Sequence, residues 1–330
     1  MTKYALLLTA IAATACTAST AAPGRSDNEP LGTIRWTVDA LGTERKDGRV
    51  QVSFETGDGN RNRSQWSSGY PLAELQGLGA AQLAGSSQPV RFALVREPGR
   101  LDCTGTAGNG QGIGTCSFAA NPAFAGRLAA AGIGQPTQRE AYSLTLGNVR
   151  GELLDELGRH GYEHPSIGDL VAMSVHRVTP AYVREIADAG YRLGRADALV
   201  QFRIFGIDGD FIRGMAAVGP QFRSLDAKDL VQFKIFKVKP ELVRAYAQLG
   251  YPSLDAKDLV TMSIHGVTPE FITELAALGY RGIPARKLVD MRIHGVTPAY
   301  VRSLRADGIT PPAPEQLVRL RMSGYQPGKR

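Results

Sequence analysis

The chain has 330 residues, of which 43% are hydrophobic, and it carries a formal net charge of +7. This composition excludes a disordered chain, because it supplies enough apolar residues for a packed core. The length suits two ordinary domains, or one domain followed by a repeat array. A basic charge of this size either attracts anionic partners or serves solubility alone.

Residues 1–15 are typical of an export signal, in which Lys3 precedes the apolar run Tyr4–Ala15. This run is too short to span a bilayer. The segment Ala13–Ala15 fits an ordinary cleavage site and, together with Cys16, also resembles a lipoprotein box. We therefore expect export across a bacterial inner membrane, to a periplasmic or lipid-anchored location, or alternatively secretion. Residues 16–30 are small and polar, which predicts a flexible tether.

Residues 31–119 predict a small antiparallel β domain. Apolar and polar residues alternate along three segments, and this period of two is typical of half-buried strands. The apolar positions are Ile34, Trp36 and Val38 in the first segment, Val50, Val52 and Phe54 in the second, and Val90, Phe92 and Leu94 in the third. The segment Pro71–Leu83 predicts a short helix covering the sheet.

The glycine-rich segment Gly105–Gly114 predicts a long hairpin turn, because it lacks the spacings of phosphate-binding loops. Cys103 and Cys116 flank this segment. In an oxidising compartment they form a natural disulfide pair, which would staple the hairpin near its base.

A repeat of about 29 residues occupies residues 120–325, and residues 326–330 predict a frayed tail. The pentapeptide HGVTP occurs at His265–Pro269 and again, 29 residues later, at His294–Pro298. A fixed period of this size is the signature of a repeat architecture. Seven units are predicted to begin near Asn121, Arg150, Thr179, Asp208, Lys239, Thr268 and Thr297.

Each unit predicts two short helices. Thr268 and Pro269 are typical of a helix start, and Gly279 of a helix end. The second half, as in Asp255–Gly266, is apolar nearly all round, which predicts a helix sandwiched between neighbours. The predicted fold class is therefore α+β with two domains, the second an α-solenoid of seven helix pairs. An alternative is a leucine-rich-repeat-like horseshoe, because Leu288–Ile293 also fits the strand signature of that fold.

The sequence contains no catalytic constellation, no metal motif and no cofactor motif that fits the repeat. His160–His164 matches H-x-x-E-H, but Gly161 stands where the first helix of that unit should end. Three histidines share one repeat position with two phenylalanines, which indicates apolar packing at the corner between helices. They are His176, His265 and His294, and the phenylalanines are Phe205 and Phe236.

Basic residues also recur at two repeat positions. If the repeats stack, these side chains align into a basic ladder that is either a partner-binding surface or a solvated face. The first helices contribute Arg127, Arg184, Arg213, Arg244 and Arg302, and the second halves contribute Arg203, Lys234, Arg292 and Arg321.

The repeated segments His265–Phe271 and His294–Val301 resemble tandem GVTPE-F/Y-type repeats of bacterial exported proteins. Such repeats are sometimes attached to β-lactam-sensor-type membrane zinc metallopeptidases. The resemblance covers Asn121–Tyr325, and the β domain resembles a companion module of the same proteins. It implies a scaffold or interaction role. It implies no protease activity, because the chain contains neither an H-E-x-x-H motif nor a bundle of membrane helices.

These observations predict an exported, non-enzymatic interaction or scaffold protein that binds an envelope protein through its repeat surface. An alternative is an enzyme or peptidase regulator with a site in the β domain or at its junction with the repeats. An anionic envelope polymer is a further candidate ligand. A nucleic acid is not expected, and membrane contact is expected only through a lipid on Cys16.

Overall fold

The structure is a computed structural model that describes residues 31–40, 48–57, 64–310 and 312–328. The predicted export signal, the tether with Cys16, and the last two residues of the tail lie outside the described residues. The chain forms two compact units. The first comprises the described residues up to Val95, with Arg100–Ala120 and Pro136–Tyr142. The second comprises Arg96–Gly99, Asn121–Gln135 and the described residues from Ser143 onwards.

The first unit contains a curled antiparallel sheet of seven strands, which confirms the predicted β domain. The order across the sheet is β3-β2-β1-β7-β6-β5-β4. The strands are β1 (Ile34–Asp39), β2 (Arg49–Thr56), β3 (Ser64–Pro71), β4 (Leu75–Gln76), β5 (Gln88–Arg96), β6 (Gly99–Gly108) and β7 (Gln111–Ala120).

The three segments with alternating apolar and polar residues form strands β1, β2 and β5, as predicted. In β1 the side chains of Ile34, Trp36 and Val38 are buried, while the residues between them are exposed. Strand β3 was not predicted, because its sequence is polar and only Tyr70 is fully covered. It is an edge strand of the sheet, and one of its sides has no neighbouring strand, so fewer of its residues need to be apolar.

The prediction of one short helix over Pro71–Leu83 is wrong. The segment contains a 3-10 turn (Leu72–Glu74), strand β4 and a five-residue helix α1 (Ala80–Ala84). Gly77, with φ of +102°, separates the strand from the helix. An added Cβ there would lie 2.6 Å from the carbonyl oxygen of Arg91, so only glycine fits this bend.

The long turn predicted for Gly105–Gly114 is also wrong. Strands β6 and β7 run through this segment and are joined by the two residues Asn109 and Gly110, both at positive φ. Asn-Gly is the preferred sequence for such a tight hairpin turn. Cys103 and Cys116 form the predicted disulfide between these strands.

The chain after Ala120 forms an array of helix pairs, all of which belongs to the second unit except Pro136–Tyr142. Seven first helices alternate with seven second helices in the described part of the chain. The first helices are α2 (Pro122–Ala130), α4 (Gly151–Arg159), α6 (Pro180–Asp188), α8 (Gly209–Ala216), α10 (Pro240–Gln248), α12 (Pro269–Ala277) and α14 (Pro298–Ala306). The second helices are α3 (Gln138–Leu146), α5 (Ile167–Val175), α7 (Ala196–Ile204), α9 (Ala227–Ile235), α11 (Ala256–Ile264), α13 (Ala285–Ile293) and α15 (Pro314–Met322).

Helices of one kind pack beside each other in two layers. Neighbouring first helices are in contact from α4 to α14, and second helices pair as α5 with α7 and in series from α9 to α15. No strand occurs among the described residues after Ala120, so the leucine-rich horseshoe is wrong. The predicted first residue of each unit is the N-cap residue of each first helix.

The HGVTP motif forms the joint between two units. His265 ends α11, Gly266 adopts φ of +66°, and the Val267 N–H donates to the Met262 carbonyl at 2.9 Å. This is a Schellman motif, in which the residue after the glycine packs against the helix. Thr268 then caps α12 by accepting from the Phe271 N–H at 3.2 Å.

The prediction that the histidine packs the corner is wrong. His176 is exposed, and His265 and His294 are only partly covered. The buried residue is the valine or isoleucine two positions later, at most 3% exposed. In the five joints concerned these residues are Val178, Ile207, Val238, Val267 and Val296. The histidine position accepts phenylalanine because it lies at the rim of the helix end rather than inside the corner.

Candidate interaction surface

The basic ladder of the second helices lies on aromatic rings. The cation is the eighth residue of a nine-residue second helix, and the ring is the third residue of the first helix in the same unit. The distances from cation to ring centroid are 4.6 Å for Arg203 over Tyr182, 4.1 Å for Lys234 over Phe211, 5.1 Å for Arg292 over Phe271 and 4.9 Å for Arg321 over Tyr300. These are cation–π distances.

The pair is present in four of the seven units, and the first unit holds the ring without the cation, as Phe124 and Thr145. In the second unit the two positions hold Leu153 and Ser174, and in the fifth they hold Leu242 and Ser263. The Ser263 hydroxyl donates to the Phe236 carbonyl, and Arg292 Nε donates to the His265 carbonyl at 3.2 Å. Both acceptors end the preceding second helix, so this position joins one unit to the next.

The arginines of the first helices form ion pairs with carboxylates of the same or an adjacent unit. All of these pairs except Arg184–Glu156 are exposed on both sides, so each of the other four contributes little to stability. The shortest distances are 2.7 Å for Arg127–Asp155, 2.9 Å for Arg184–Glu156, 2.7 Å for Arg213–Asp210, 3.5 Å for Arg244–Glu241 and 3.3 Å for Arg302–Glu274. All nine predicted ladder residues thus have an internal contact.

Glu156 is the one charged residue found buried among the described residues, at 1% exposure in α4. Its carboxylate accepts from Arg159 and, at 2.9 Å, from Arg184, and lies 3.0 Å from His160 Nε2. Burial alone would raise its pKa, but the hydrogen bonds from Arg159, Arg184 and His160 outweigh burial and lower the pKa below its usual range. The cluster fastens α4 to α6.

We expect Glu156 to make the array sensitive to acid. Because its pKa is lower in the folded chain, its contribution is fully present above the ordinary glutamate pKa and is lost as pH falls through the folded value. Glu156→Gln should cost about 1–3 kcal/mol at neutral pH. Urea unfolding of parent and variant between about pH 6 and pH 3 measures the difference, which should shrink towards the acid end. A constant difference over that range would contradict this role.

The two histidines of the H-x-x-E-H match have separate surroundings. His160 pairs with Glu156, whereas His164 lines a cavity of about 280 Å³ with Tyr162 and Asp155. The segment between them contains Gly161 at φ of +72°, which ends α4. Across the described chain no three His, Cys, Asp or Glu side chains are grouped closely enough to hold a metal ion.

The β unit has a shallow cavity of about 580 Å³ between β1 and the β6–β7 hairpin. Asp39 is the one ionisable residue that lines it, beside Thr37, Ser87 and Asn109. Trp36 has no exposed surface and packs edge-on against Phe92. It belongs to the core.

An exposed row of apolar side chains on the second helices was not predicted from the sequence. The ninth and last residue of six successive second helices is between 48% and 65% exposed. We call this row the apolar stripe, and its members are Val175, Ile204, Ile235, Ile264, Ile293 and Met322. The equivalent Leu146 of the first unit is buried.

The second helices pack against neighbouring second helices, as predicted, but the apolar residue that forms the stripe stays exposed in six of them. In α11, Leu259 and Met262 stand five and two residues before Ile264 and are buried, whereas Ile264 is exposed. Exposed apolar side chains that recur at a fixed repeat position differ from the singly scattered apolar residues of an ordinary surface. The signal in the sequence was the strict recurrence of Val, Ile or Met one residue before the histidine position.

No family model, curated protein or solved structure matches this chain. Among the helices of the described residues, none has the length and apolar character needed to cross a membrane.

Proposed function

We propose that this chain is an exported, non-enzymatic interaction or scaffold protein that binds an envelope protein along the apolar stripe. The supporting observation is the exposure of six equivalent apolar side chains on six successive units. Burying a branched side chain of this size is worth about 1.5–3 kcal/mol. The repeat resemblance and the composition of residues 1–16 support the exported location.

Charge and spacing favour an acidic amphipathic helix as the partner. Four stripe residues directly follow a basic residue of the ladder, namely Arg203, Lys234, Arg292 or Arg321. Packed neighbouring helices are about 8–10 Å apart. Apolar residues seven apart on a partner helix are separated by about 10 Å, since each residue rises 1.5 Å. Such a helix could lie along the stripe and place carboxylates beside the cations.

The test pairs two double variants that add the same charge in the same two units. Ile264→Glu with Ile293→Glu changes the stripe, and Gln248→Glu with Thr273→Glu changes exposed positions of the first-helix layer. We expect the stripe variant to bind a labelled acidic amphipathic helical peptide about a hundredfold more weakly, because two apolar contacts are replaced by like charges. Fluorescence anisotropy measures the affinity, and the control variant should bind as the parent does.

A basic peptide with the same apolar pattern should bind poorly. Equal binding of both peptides, or equal loss in both variants, would contradict the proposal. In cells that produce the protein, a photo-crosslinking amino acid in place of Ile264 should trap a partner. The same amino acid in place of Gln248 should trap none. Mass spectrometry of the purified N-terminus then shows whether Cys16 carries a lipid.

A further inference from the structure

The joint between the fourth and fifth units departs from the repeat at two positions, and both hold lysine. Where other joints have Gly266 or Gly295 at positive φ, this joint has Lys237 at φ of +57°. A side chain in this conformation costs about 1–2 kcal/mol relative to glycine. Residues held in such backbone conformations are found preferentially at functional sites.

The second departure is at the start of α10. Thr268 and Thr297 cap their helices with a side-chain oxygen, whereas Lys239 at the same position makes no capping hydrogen bond. A missing cap costs about 1 kcal/mol and leaves the first backbone N–H groups of α10 open to another acceptor. Arg177 also stands at positive φ, but the Thr179 cap is retained there. Asn148 and Arg150 combine both departures at the joint of the first and second units, but there the Gly151 N–H already donates to the Glu97 carboxylate at 2.7 Å.

Both lysines line one cavity of about 350 Å³, together with Lys234 and Arg244. The two carboxylates of its wall are already paired, Asp210 with Arg213 at 2.7 Å and Glu241 with Arg244 at 3.5 Å. Within the described chain no carboxylate comes within ion-pair distance of any of the three lysines. Phe211 positions Lys234, whose Nζ lies 4.1 Å from the ring centroid.

We propose that this cavity binds a phosphate group. Three ammonium groups offer several donors each, and a tetrahedral dianion has enough oxygens to accept from all of them. The uncapped start of α10 adds backbone N–H groups and the positive end of the helix dipole. The cost of two lysines at positions that favour glycine and threonine is then explained by ligand binding, independently of the apolar stripe.

The test restores the repeat's own residues at the joint. Lys237→Gly with Lys239→Thr removes two cations and should raise the melting temperature, so loss of binding is separable from misfolding. A matched control, Lys228→Gln with Lys257→Gln, removes two exposed lysines that do not line the cavity. The probes are inorganic phosphate, followed by calorimetry, and vesicles of phosphatidylcholine with or without phosphatidic acid, followed by co-sedimentation.

We expect the parent and the control to bind phosphate, and the restored joint to bind at least about tenfold more weakly. Vesicle binding that depends on phosphatidic acid and is lost with the restored joint identifies a lipid headgroup as the source. Binding of phosphate without vesicle binding identifies a soluble phosphate ligand. Binding of neither probe by the parent, or equal loss in the control and the restored joint, overturns the proposal.

Discussion

Replacing Trp36 with alanine should lower the free energy of unfolding of the β unit by about 3–5 kcal/mol, the range for truncating a buried aromatic residue. Trp36 has no exposed surface, its ring centroid lies 4.9 Å from that of Phe92, and its Nε1 donates to the Thr104 carbonyl at 3.1 Å. All of these contacts are lost in the variant.

The effect should lie near the upper end of that range, because the walls of the resulting cavity hold few atoms that can fill it. Three glycines of β6 and β7 lie against the indole. An added Cβ would be 2.6 Å from Trp36 Nε1 at Gly114, 2.8 Å from Cζ2 at Gly105 and 3.0 Å from Cζ3 at Gly112. At Gly105 and Gly114 the added atom would also lie 2.2 and 2.0 Å from a carbonyl oxygen of the neighbouring strand. The glycine-rich sequence of this hairpin is therefore explained by the indole ring and by the close approach of β6 and β7.

Urea unfolding followed by fluorescence measures this loss, since Trp66 on β3 is the one tryptophan that remains. Ile113→Ala is a suitable control, because Ile113 lies on β7 but is 60% exposed, and it should change stability by less than about 0.5 kcal/mol. A loss of under about 1 kcal/mol for Trp36→Ala would show that Trp36 is not the centre of this core.

Removing the disulfide should be the next largest effect. Cys103 and Cys116 are 13 residues apart, and a crosslink that closes a loop of this size stabilises by about 3 kcal/mol through the unfolded chain. The bond joins β6 and β7, near the middle of the strand order. We expect the double variant Cys103→Ala with Cys116→Ala to unfold at correspondingly lower urea concentration.

Reductant provides the matching control. It should lower the stability of the parent by a similar amount and leave the double variant unchanged. If the parent is equally stable without reductant and with enough reductant to break the disulfide fully, the crosslink contributes nothing. In that case the strand pairing alone holds the hairpin. The same measurement on the helical array should show no response, because its described residues contain no cysteine.

Local signals in the sequence predicted the joints of the array well. A glycine at a helix end and a threonine-proline pair at the next start depend on backbone conformation and capping within a few residues. The start of every unit was therefore predicted at the N-cap residue, including Arg150 and Lys239, which make no capping bond. The pairing of Arg203 with Tyr182 was also present as a recurring spacing, although it was interpreted only as a row of charges.

The errors in the β unit have a common origin. Strand β3 is polar because it is an edge strand, and β6 and β7 contain glycines because Trp36 and the backbone of the paired strand leave no room for a side chain there. Neither property is local. Periodicity and turn composition depend only on residues that are neighbours along the chain. The assignments of β3 and of the glycine-rich strands depend on a strand or a side chain that is distant in the sequence.

The sequence by itself determined the fold class, the seven helix pairs and the first residue of each unit, since these follow from short-range backbone and packing rules. It also determined the disulfide pair, because Cys103 and Cys116 are the two cysteines that follow Cys16. Only the tertiary structure decided which apolar residues face solvent and which cations are already engaged. Ile264 and Met262 are both apolar residues of α11, yet one is exposed and the other is buried. That distinction depends on which helices flank α11, and it is the distinction on which the proposed partner surface rests.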